Sequence, residues 1–477
     1  MKVTIEQKSY LSKKKRLSDQ AYIQQLESEN ASLKATLAQV MEYVKELEIK
    51  VEELSQKLEQ QSVKKNSNNS HLAPSGDISR KTRSLRGSSG KRAGGQKGHK
   101  GHNLKLSSSP DEIEKLVPNE CQVCFEQLDS AMGVLVERRQ VVDIPPIVAQ
   151  IKEYQCYQIS CACGHHQRGA FPAGVDNHIQ YGPRITALAV YQNIYQYIPY
   201  RRLQQFFAQI CQVQLSVGTL ENMVARTAQK ARPRWEALRQ QVEQAGVVGS
   251  DETGCKVNGK KQWVWVWQST LVTFLAVCAS RGAELVDKLF PEGFVNATLS
   301  SDRWRAQIKT KAKKHQLCLA HLLRELIYLI EAEKTDWAKE CKNILLGAIR
   351  LKQNQAVYDA DHPSVLAVEQ QLDQLLKQDI VDQFAIKTLT LKKSLTKYRD
   401  MIFPFLYDPD VPFDNNASER SIRNFKVKLK VSGQFKSGQE HYCILRSVID
   451  SAIKNQQDVF EAIAQFTTLK SPPKAAV

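Results

Sequence analysis

Residues 247–268 read VVGSDETGCKVNGKKQWVWVWQ, and this stretch decides the fold of the chain. The apolar run at 247–251 predicts a strand that ends on an acid, and Asn258-Gly259 is typical of a two-residue hairpin turn. A second strand follows, because Trp263, Trp265 and Trp267 alternate with valines. One face of that strand is therefore aromatic. We interpret these tryptophans as core residues rather than as a platform on which bases stack.

Working outward, residues 271–279 predict a third strand and 297–301 a short fourth strand that ends on Asp302. A fifth strand is predicted at 316–321, leading into a helix at 322–333. Asp251 and Asp302 then end two strands, and Glu419 follows on a later helix. Carboxylates in this arrangement can hold a pair of Mg²⁺ ions that clamp the two reacting oxygens of a phosphodiester.

Each of these acids also has a structural explanation when it is taken alone. Asp251 also fits the start of a turn, and Asp302 fits the cap of a short helix from Arg303. Glu419 fits a capping box with Asn416 and an ion pair one turn away with Arg423. Their joint appearance in the order strand, strand, helix is what favours a metal site.

The rest of the chain is strongly basic, with 67 Lys and Arg against 50 Asp and Glu, a net charge of +17. Such a balance predicts a polyanionic partner, either nucleic acid or an anionic membrane. The membrane alternative is weak, because no apolar run of about 18 residues exists. Residues 1–17 lack the apolar stretch of a signal peptide, so we expect a cytoplasmic, nucleoid-associated protein. Eleven cysteines in such a chain favour thiols and metal over disulfides.

The first predicted domain, residues 1–62, has the pattern of a coiled coil. Leucine or valine recurs every seven residues from Leu26 to Leu54, and a second row three positions earlier begins at Ile23. Asn30 falls in that second row, where a buried Asn favours a parallel two-stranded register. We therefore expect a homodimer or higher oligomer. The alternative is a long helix that packs on its own protein.

Residues 63–110 form a predicted basic flexible arm. Between 62 and 110, eleven Lys and Arg face one acid, Asp77, and glycine and serine abound. The arm is either a solvated linker or a segment that orders on DNA phosphates. The residues expected to contact DNA are Lys91, Arg92, Lys97 and Lys100.

Residues 111–175 form a predicted zinc-binding module. Cys121 and Cys124 have the spacing of a zinc knuckle. Cys161 and Cys163 would complete the site, although their one-residue gap is shorter than usual. The side chains that can replace one of these ligands are those of Cys156, His165 and His166. The alternative is a set of free thiols. Residues 139–151 between the two pairs are predicted to be rich in β-structure.

Residues 176–245 are predicted to be helical, with two helices at 200–211 and 217–230, the second capped by Ser216. These helices either form a helix-turn-helix that reads a groove or brace the next domain. The catalytic domain is predicted at 246–457, interrupted by a helical insertion at about 325–400. A C-terminal tail is predicted at 458–477.

Longer motifs resemble those of bacterial transposases of insertion-sequence family 66. They include DETG at 251–254 with the WVW strand, SD at 301–302, CLAH at 318–321 and NNASER at 415–420. GGQ at 94–96 with GHKGH at 98–102, QYGP at 180–183 and SVGT at 216–219 also match. The resemblance implies a multidomain α+β protein with an RNase H-like catalytic core, in which Asp251, Asp302 and Glu419 form the acid triad.

The resemblance further implies a DDE transposase that binds double-stranded DNA, cuts the element's ends and joins them to target DNA. Mg²⁺ or Mn²⁺ would serve the acids, and Zn²⁺ the cysteine module. Small accessory proteins often act with the family. Arg420 and Arg423 are candidates for phosphate contacts. Cys318 and His321 are interpreted as core-orienting residues, with a zinc-ligand role as the alternative. The competing functions are a non-catalytic zinc-containing DNA-binding protein and a general nuclease of the same fold.

Overall fold

The computed structural model describes residues 5–63, 65–70, 98, 100, 104–354, 361–381 and 385–468. Its contacts divide the chain into two units. One unit contains residues 1–80, 181–197 and 223–477, and the other contains 81–180 and 198–222. Lys91, Arg92 and Lys97 of the predicted arm lie outside the described residues, whereas Lys100 is described and exposed.

The N-terminal segment is one long helix, α1 (Ile5–Ser62). Both predicted apolar rows are exposed to solvent, and Leu33 has 67% of its surface accessible. Burial of these rows against another apolar surface is favourable, because each CH₂ group removed from water contributes about 0.8 kcal/mol of stability. The exposed members of the two rows are Ile23, Leu26, Leu33, Leu37, Val40, Val44, Leu47, Val51, Leu54 and Leu58.

The smaller unit contains a short hairpin, β1 (Gln158–Ser160) and β2 (His166–Arg168), and the helix α3 (Tyr200–Gln209). The prediction of β-structure at 139–151 is wrong, since no residue of this fully described stretch is in a strand. Pro145 and Pro146 offer no N–H groups for a ladder, and a strand needs a paired neighbour. The predicted pair of helices is confirmed, with the second one longer than expected at α4 (Val217–Glu243).

The larger unit is built on a five-stranded sheet in the order β5-β4-β3-β6-β7. The strands β3, β4 and β5 are antiparallel, whereas β6 runs parallel to β3 and β7 parallel to β6. The hairpin at Asn258-Gly259 is confirmed, with both residues at positive φ. The strands are β3 (Val247–Val257), β4 (Lys260–Gln268), β5 (Thr273–Cys278), β6 (Phe294–Ser301) and β7 (Ala312–Leu317).

The aromatic face of β4 is part of the core. Trp265 and Trp267 are at most 1% exposed and stack with their ring centroids 5.7 Å apart. Phe274 of β5 and Phe290 extend this aromatic cluster. The core interpretation is confirmed for these two tryptophans. Trp263 is instead only half-buried, with the guanidinium of Arg281 4.8 Å from its ring centroid.

The predicted fifth strand is wrong at its C-terminal end. The strand β7 stops at Leu317, and α7 (Leu319–Ala332) begins directly after Cys318. His321 is therefore in the first turn of a helix. The run of leucines after 318 is compatible with either element, but only the helix buries Leu322, Leu326 and Leu329 on one face.

The predicted helical insertion is present and has its own hydrophobic core, which begins at Leu317 and extends to Val411. Three further helices follow. The first two pack on the sheet, and the last (Val459–Thr468) packs on the second and lies in the segment predicted as a tail. None of the helices within the described ranges has both the length and the apolar character that a bilayer crossing needs. The remaining helices are α2 (Pro183–Val190), a π-helical turn (Tyr191–Tyr195), α5 (Glu284–Leu289), α6 (Arg305–Lys309), α8 (Asp336–Asn354), α9 (Pro363–Lys377), α10 (Ile386–Lys397), α11 (Asn416–Ser432), α12 (Gln439–Lys454) and α13 (Val459–Thr468).

Candidate active site

Asp251 and Asp302 lie side by side at the centre of the sheet. The strands β3 and β6 pair in parallel with Val247 opposite Thr298 and Gly249 opposite Ser300. Extending that register by two residues places Asp251 opposite Asp302. Neighbouring strands are about 4.8 Å apart, so the two carboxyl groups leave the sheet as near neighbours.

Neither aspartate has the structural role that was its alternative. Asp251 lies within β3, which continues to Val257, so it does not begin a turn. The helix after Asp302 begins at Arg305 and has Trp304 at its N-cap position, so Asp302 does not cap it. The strand that contains Asp251 is longer than predicted, because it also pairs with the full length of β4.

Helix α7 brings a cysteine and a histidine to Asp302. Nδ1 of His321 lies 2.8 Å from Oδ1 of Asp302. One potential ligand atom from each of Asp302, Cys318 and His321 lies within 4.8 Å of the others. The i, i+3 spacing of Cys318 and His321 puts both on the same side of the first helical turn. The two residues therefore face the sheet end where the aspartates lie.

Helix α11 brings Glu419 to the same place. Nε2 of His321 lies 3.6 Å from Oε1 of Glu419, so the imidazole ring stands between Asp302 and Glu419. Asn415 is the N-cap residue, without a side-chain cap bond, and Glu419 is four residues after it. This spacing is not that of a capping box. Glu419 approaches Arg324, at 3.7 Å, rather than Arg423, within the part of the chain that is described.

Asn415 fixes the start of α11 against the sheet. Its Nδ2 donates to the carbonyl of Ser250 at 2.7 Å, and its backbone N–H donates to Sγ of Cys318 at 3.2 Å. Gly249 allows this close approach, since a Cβ there would lie 2.5 Å from Oγ of Ser418. One buried residue thus connects β3, the start of α7 and α11, the elements that carry Asp251, His321 and Glu419.

The electrostatics of the cluster reflect crowded negative charge. Burial and the nearby charge of Asp302 raise the pKa of Asp251 well above its usual range. Burial alone would lower the pKa of His321, but its contacts with Asp302 and Cys318 raise that pKa to about 11. The ring is therefore an imidazolium at neutral pH. It supplies one positive charge to a group of three carboxylates.

Two neighbours of the cluster were missed by the sequence reasoning. Glu252 is buried and accepts from Arg281 at 2.6 Å and from Gln307 at 2.5 Å. Alternation along β3 turns it away from Asp251, to the opposite face of the sheet. Arg324 lies one turn after His321 on α7. The three-residue spacing of Arg324 from His321 can be seen in the sequence. The contacts of Arg281 and Gln307 with Glu252 depend on the tertiary structure and cannot.

The predicted zinc ligands lie in two separate turns. Backbone N–H groups of Cys124 and Val123 lower the pKa of the Cys121 thiol, and the backbone of Cys163 lowers that of Cys161. No three of these four thiols lie within 4.8 Å of one another. Sγ of Cys156 donates to the carbonyl of Gly169 at 3.0 Å. Each pair is preformed, but the two pairs are not brought together.

The acidic cluster has the chemistry of a site for a hard divalent cation. Asp251, Asp302 and Glu419 offer the carboxylate oxygens that Mg²⁺ prefers. Oε1 of Glu419 is buried and accepts no hydrogen bond from the described residues, while Oδ1 of Asp302 faces Nδ1 of His321 at 2.8 Å. Burial and the neighbouring carboxylates raise the pKa of Asp251, and a divalent cation bound here would favour its ionised form. These residues fit a divalent metal, and Cys318 with His321 flanks it.

Comparison with protein-family models gives two matches. The model described as "Transposase IS66 family" matches residues 178–441, more than half of the chain, and this range includes every residue of the acidic cluster. A family of unknown function (DUF6444) matches residues 13–105, which include most of α1 and the basic arm. No curated protein matches the chain significantly.

Proposed function

Because the chain belongs to the IS66 family of transposases, we propose that it cuts DNA at the ends of its element and joins them to target DNA at the acidic cluster. The observation that carries the proposal is the approach of Asp302 and Glu419 to the two ring nitrogens of His321, at 2.8 and 3.6 Å, with Asp251 on the strand next to Asp302. A mixed five-stranded sheet with two of the acids on adjacent strands supports an RNase H-like core.

Each acid has a distinct role in this proposal. Asp251, on the central strand beside Asp302, would contribute to holding both metal ions, and Asp302 and Glu419 would each help to hold one. When bound, two Mg²⁺ or Mn²⁺ ions neutralise the phosphate charge and lower the pKa of the attacking water or hydroxyl. Joining exchanges one phosphodiester for another, so the reaction needs no nucleotide cofactor.

His321 is a positioning residue in this site. Its two ring nitrogens face Asp302 and Glu419, so the ring holds the separation of these carboxylates. As an imidazolium it also limits their mutual repulsion. Arg324 acts on Glu419 from the next turn of α7. The core-orienting interpretation of Cys318 and His321 follows from these contacts.

The remaining regions have supporting roles in DNA handling. The exposed apolar rows of α1 fit a parallel coiled coil that brings two DNA ends together. The two cysteine turns fit a small zinc module, in which Zn²⁺ would draw the preformed pairs together. The basic arm supplies salt-dependent affinity for phosphates.

The test uses DNA that carries the inverted repeats flanking the gene, incubated with purified protein and Mn²⁺. Asp251→Asn, Asp302→Asn and Glu419→Gln keep the side-chain shapes, and each should lower strand cleavage by more than ~100-fold. Asp336→Asn is the matched control, because Asp336 is an exposed acid on α8 whose carboxylate pairs with Lys339 on the same helix. Full activity in the three variants would refute the proposal. Equal cleavage of scrambled ends would indicate a general nuclease, and binding without cleavage a DNA-binding protein.

A further inference from the structure

A cavity of about 530 Å³ lies beside α11, away from the acidic cluster. Small-ligand sites have volumes of about 300–1,000 Å³, so the cavity can hold a group the size of one nucleotide. Three cationic side chains and one carboxylate line it. They are Arg420, Arg446, Lys454 and Asp450.

Arg446 forms the floor of the cavity. Its side chain is only 3% exposed, and its Nη2 contacts Oδ1 of Asp450 at 2.7 Å. The rings of Tyr195 and Tyr197 flank the guanidinium, with centroids 5.6 and 5.5 Å away. The direct ion pair of Asp450 is therefore with Arg446. The Nε and Nη1 groups of Arg446 have no hydrogen-bond acceptor among the described residues.

Tyr197 is held in an unfavourable backbone conformation at the cavity wall. Its φ is +62°, which costs a non-glycine residue about 1–3 kcal/mol, and such strain concentrates at functional sites. Its hydroxyl donates to Oδ1 of Asn424 at 3.0 Å, which ties the wall to α11. The strained tyrosine keeps the aromatic wall in place over Arg446.

Lys454 and Arg420 are the two cations left without a carboxylate partner in the described part of the chain. Nζ of Lys454 donates to three neutral oxygens, at 2.6, 2.8 and 2.9 Å. Burial lowers the pKa of Lys454 to about 8, with the charge of Arg420 acting in the same direction and that of Asp450 opposing it. Arg420 itself is exposed at the rim. An anion in the cavity would relieve the repulsion between these two side chains.

Helix geometry places this cavity across α11 from the catalytic acid. Ala417, Arg420, Ser421 and Asn424 line the cavity and follow the i, i+3, i+4, i+7 pattern of one helix face. Glu419 is turned by about 100° from Arg420 and further from the others. A helix with its side chains is about 10 Å wide, so the two sites are separated by about that distance.

We propose that this cavity binds a nucleotide of the DNA strand through its phosphate, while another phosphate of the same DNA lies in the acidic cluster. The helix α11 would then lie between two phosphate-binding sites for the same DNA. This inference rests on the proposed function for its source of phosphate, DNA rather than a free anion. The recognition is electrostatic and independent of sequence.

The test measures the binding of labelled duplex DNA to the full chain by fluorescence anisotropy, in EDTA and over a series of KCl concentrations. Arg420→Gln should weaken binding and reduce the slope of log K against log salt by about 0.9. Arg420→Lys keeps the charge and should retain the slope. Ala417→Leu fills the cavity without changing the charge and should reduce the slope as Arg420→Gln does. Lys430→Gln, an exposed lysine of α11 outside the cavity, is the matched control.

Three outcomes would overturn the proposal. Arg420→Gln could change the salt slope no more than Lys430→Gln does. Alternatively, Ala417→Leu could leave the slope unchanged, which would mean that Arg420 contacts DNA but that the cavity does not bind it. Free inorganic phosphate could raise the melting temperature above that in KCl of equal ionic strength while the DNA slope stays fixed, which would make a free anion the ligand. Because binding is measured without divalent metal, a wild-type protein that fails to cut DNA refutes the proposed chemistry without affecting this test.

Discussion

Replacing Gly249 with alanine tests whether the contact between β3 and α11 sets the geometry of the acidic cluster. A Cβ at this position would lie 2.5 Å from Oγ of Ser418, 2.6 Å from Nε2 of Gln268 and 3.0 Å from Oδ1 of Asn415. Ordinary contacts begin at 3.4 Å, so the shortest of these distances must grow by about 0.9 Å.

The neighbours of Gly249 cannot all move at no cost. Ser418 can rotate, but Asn415 is tied to the carbonyl of Ser250 and Gln268 accepts from Lys454. Part of the displacement therefore passes to the start of α11, next to Glu419. Overpacking of this kind costs about 1–3 kcal/mol. A shift of ~1 Å in a catalytic group can cost ~100-fold in rate.

We expect Gly249→Ala to lower the melting temperature by about 2–6 °C and metal-dependent cleavage by about 100-fold. The assays are calorimetry and the cleavage of DNA carrying the element ends. Gly254→Ala is the matched control on the same strand, because its Cβ would meet only ordinary contacts at 3.8 Å or more. If Gly249→Ala behaved like Gly254→Ala in both assays, the role assigned to this contact would be refuted.

Three further results are expected. Burial lowers the pKa of Lys428 from 10.5 to about 8, so the unfolded chain binds more protons than the folded chain between pH 8 and 10.5. The free energy of unfolding therefore rises with pH in this window, and Lys428→Met should remove about 3 kcal/mol of that rise. Denaturant curves of the wild type that do not change across the window would contradict the prediction. Zinc analysis of the purified protein should give one ion per chain, lost in Cys124→Ser and retained in Cys211→Ser, which alters a buried thiol outside the knuckles. Sedimentation should give a dimer for the wild type and mixed oligomers for Asn30→Val, whereas a wild-type monomer at micromolar concentration would refute the coiled coil.

The elements that were predicted well are those whose side-chain period is clear. Alternation in the tryptophan strand and the Asn258-Gly259 turn sufficed for the hairpin, and Asp302 marked the end of a short apolar run. The expected setting of the acids, two on strands and one on a later helix, also agrees with the elements, except that Asp251 lies within its strand rather than at its end. Patterns of this kind depend on residues that are close in the sequence, so they can be detected in a single sequence.

The features that escaped prediction depend on distant partners. The 316–321 segment is apolar in either element, and only packing on the insertion makes residues from 319 onward helical. Residues 139–151 are rich in valine and isoleucine, but none of them is paired in a strand. The cavity joins Tyr197 to Arg446 across about half of the chain, and no local pattern encodes that meeting. The same holds for Arg281 and Glu252.

The position of the helical insertion determines when, during synthesis of the chain, the third acid is added. Asp302 and Glu419 are 117 positions apart, and most of that interval is the insertion. At about 5–20 residues per second, a ribosome needs roughly 6–23 s to travel between them. For that interval every nascent chain carries two acids without the third. Under the proposed function, the three acids are therefore all present only when synthesis of the chain is almost complete.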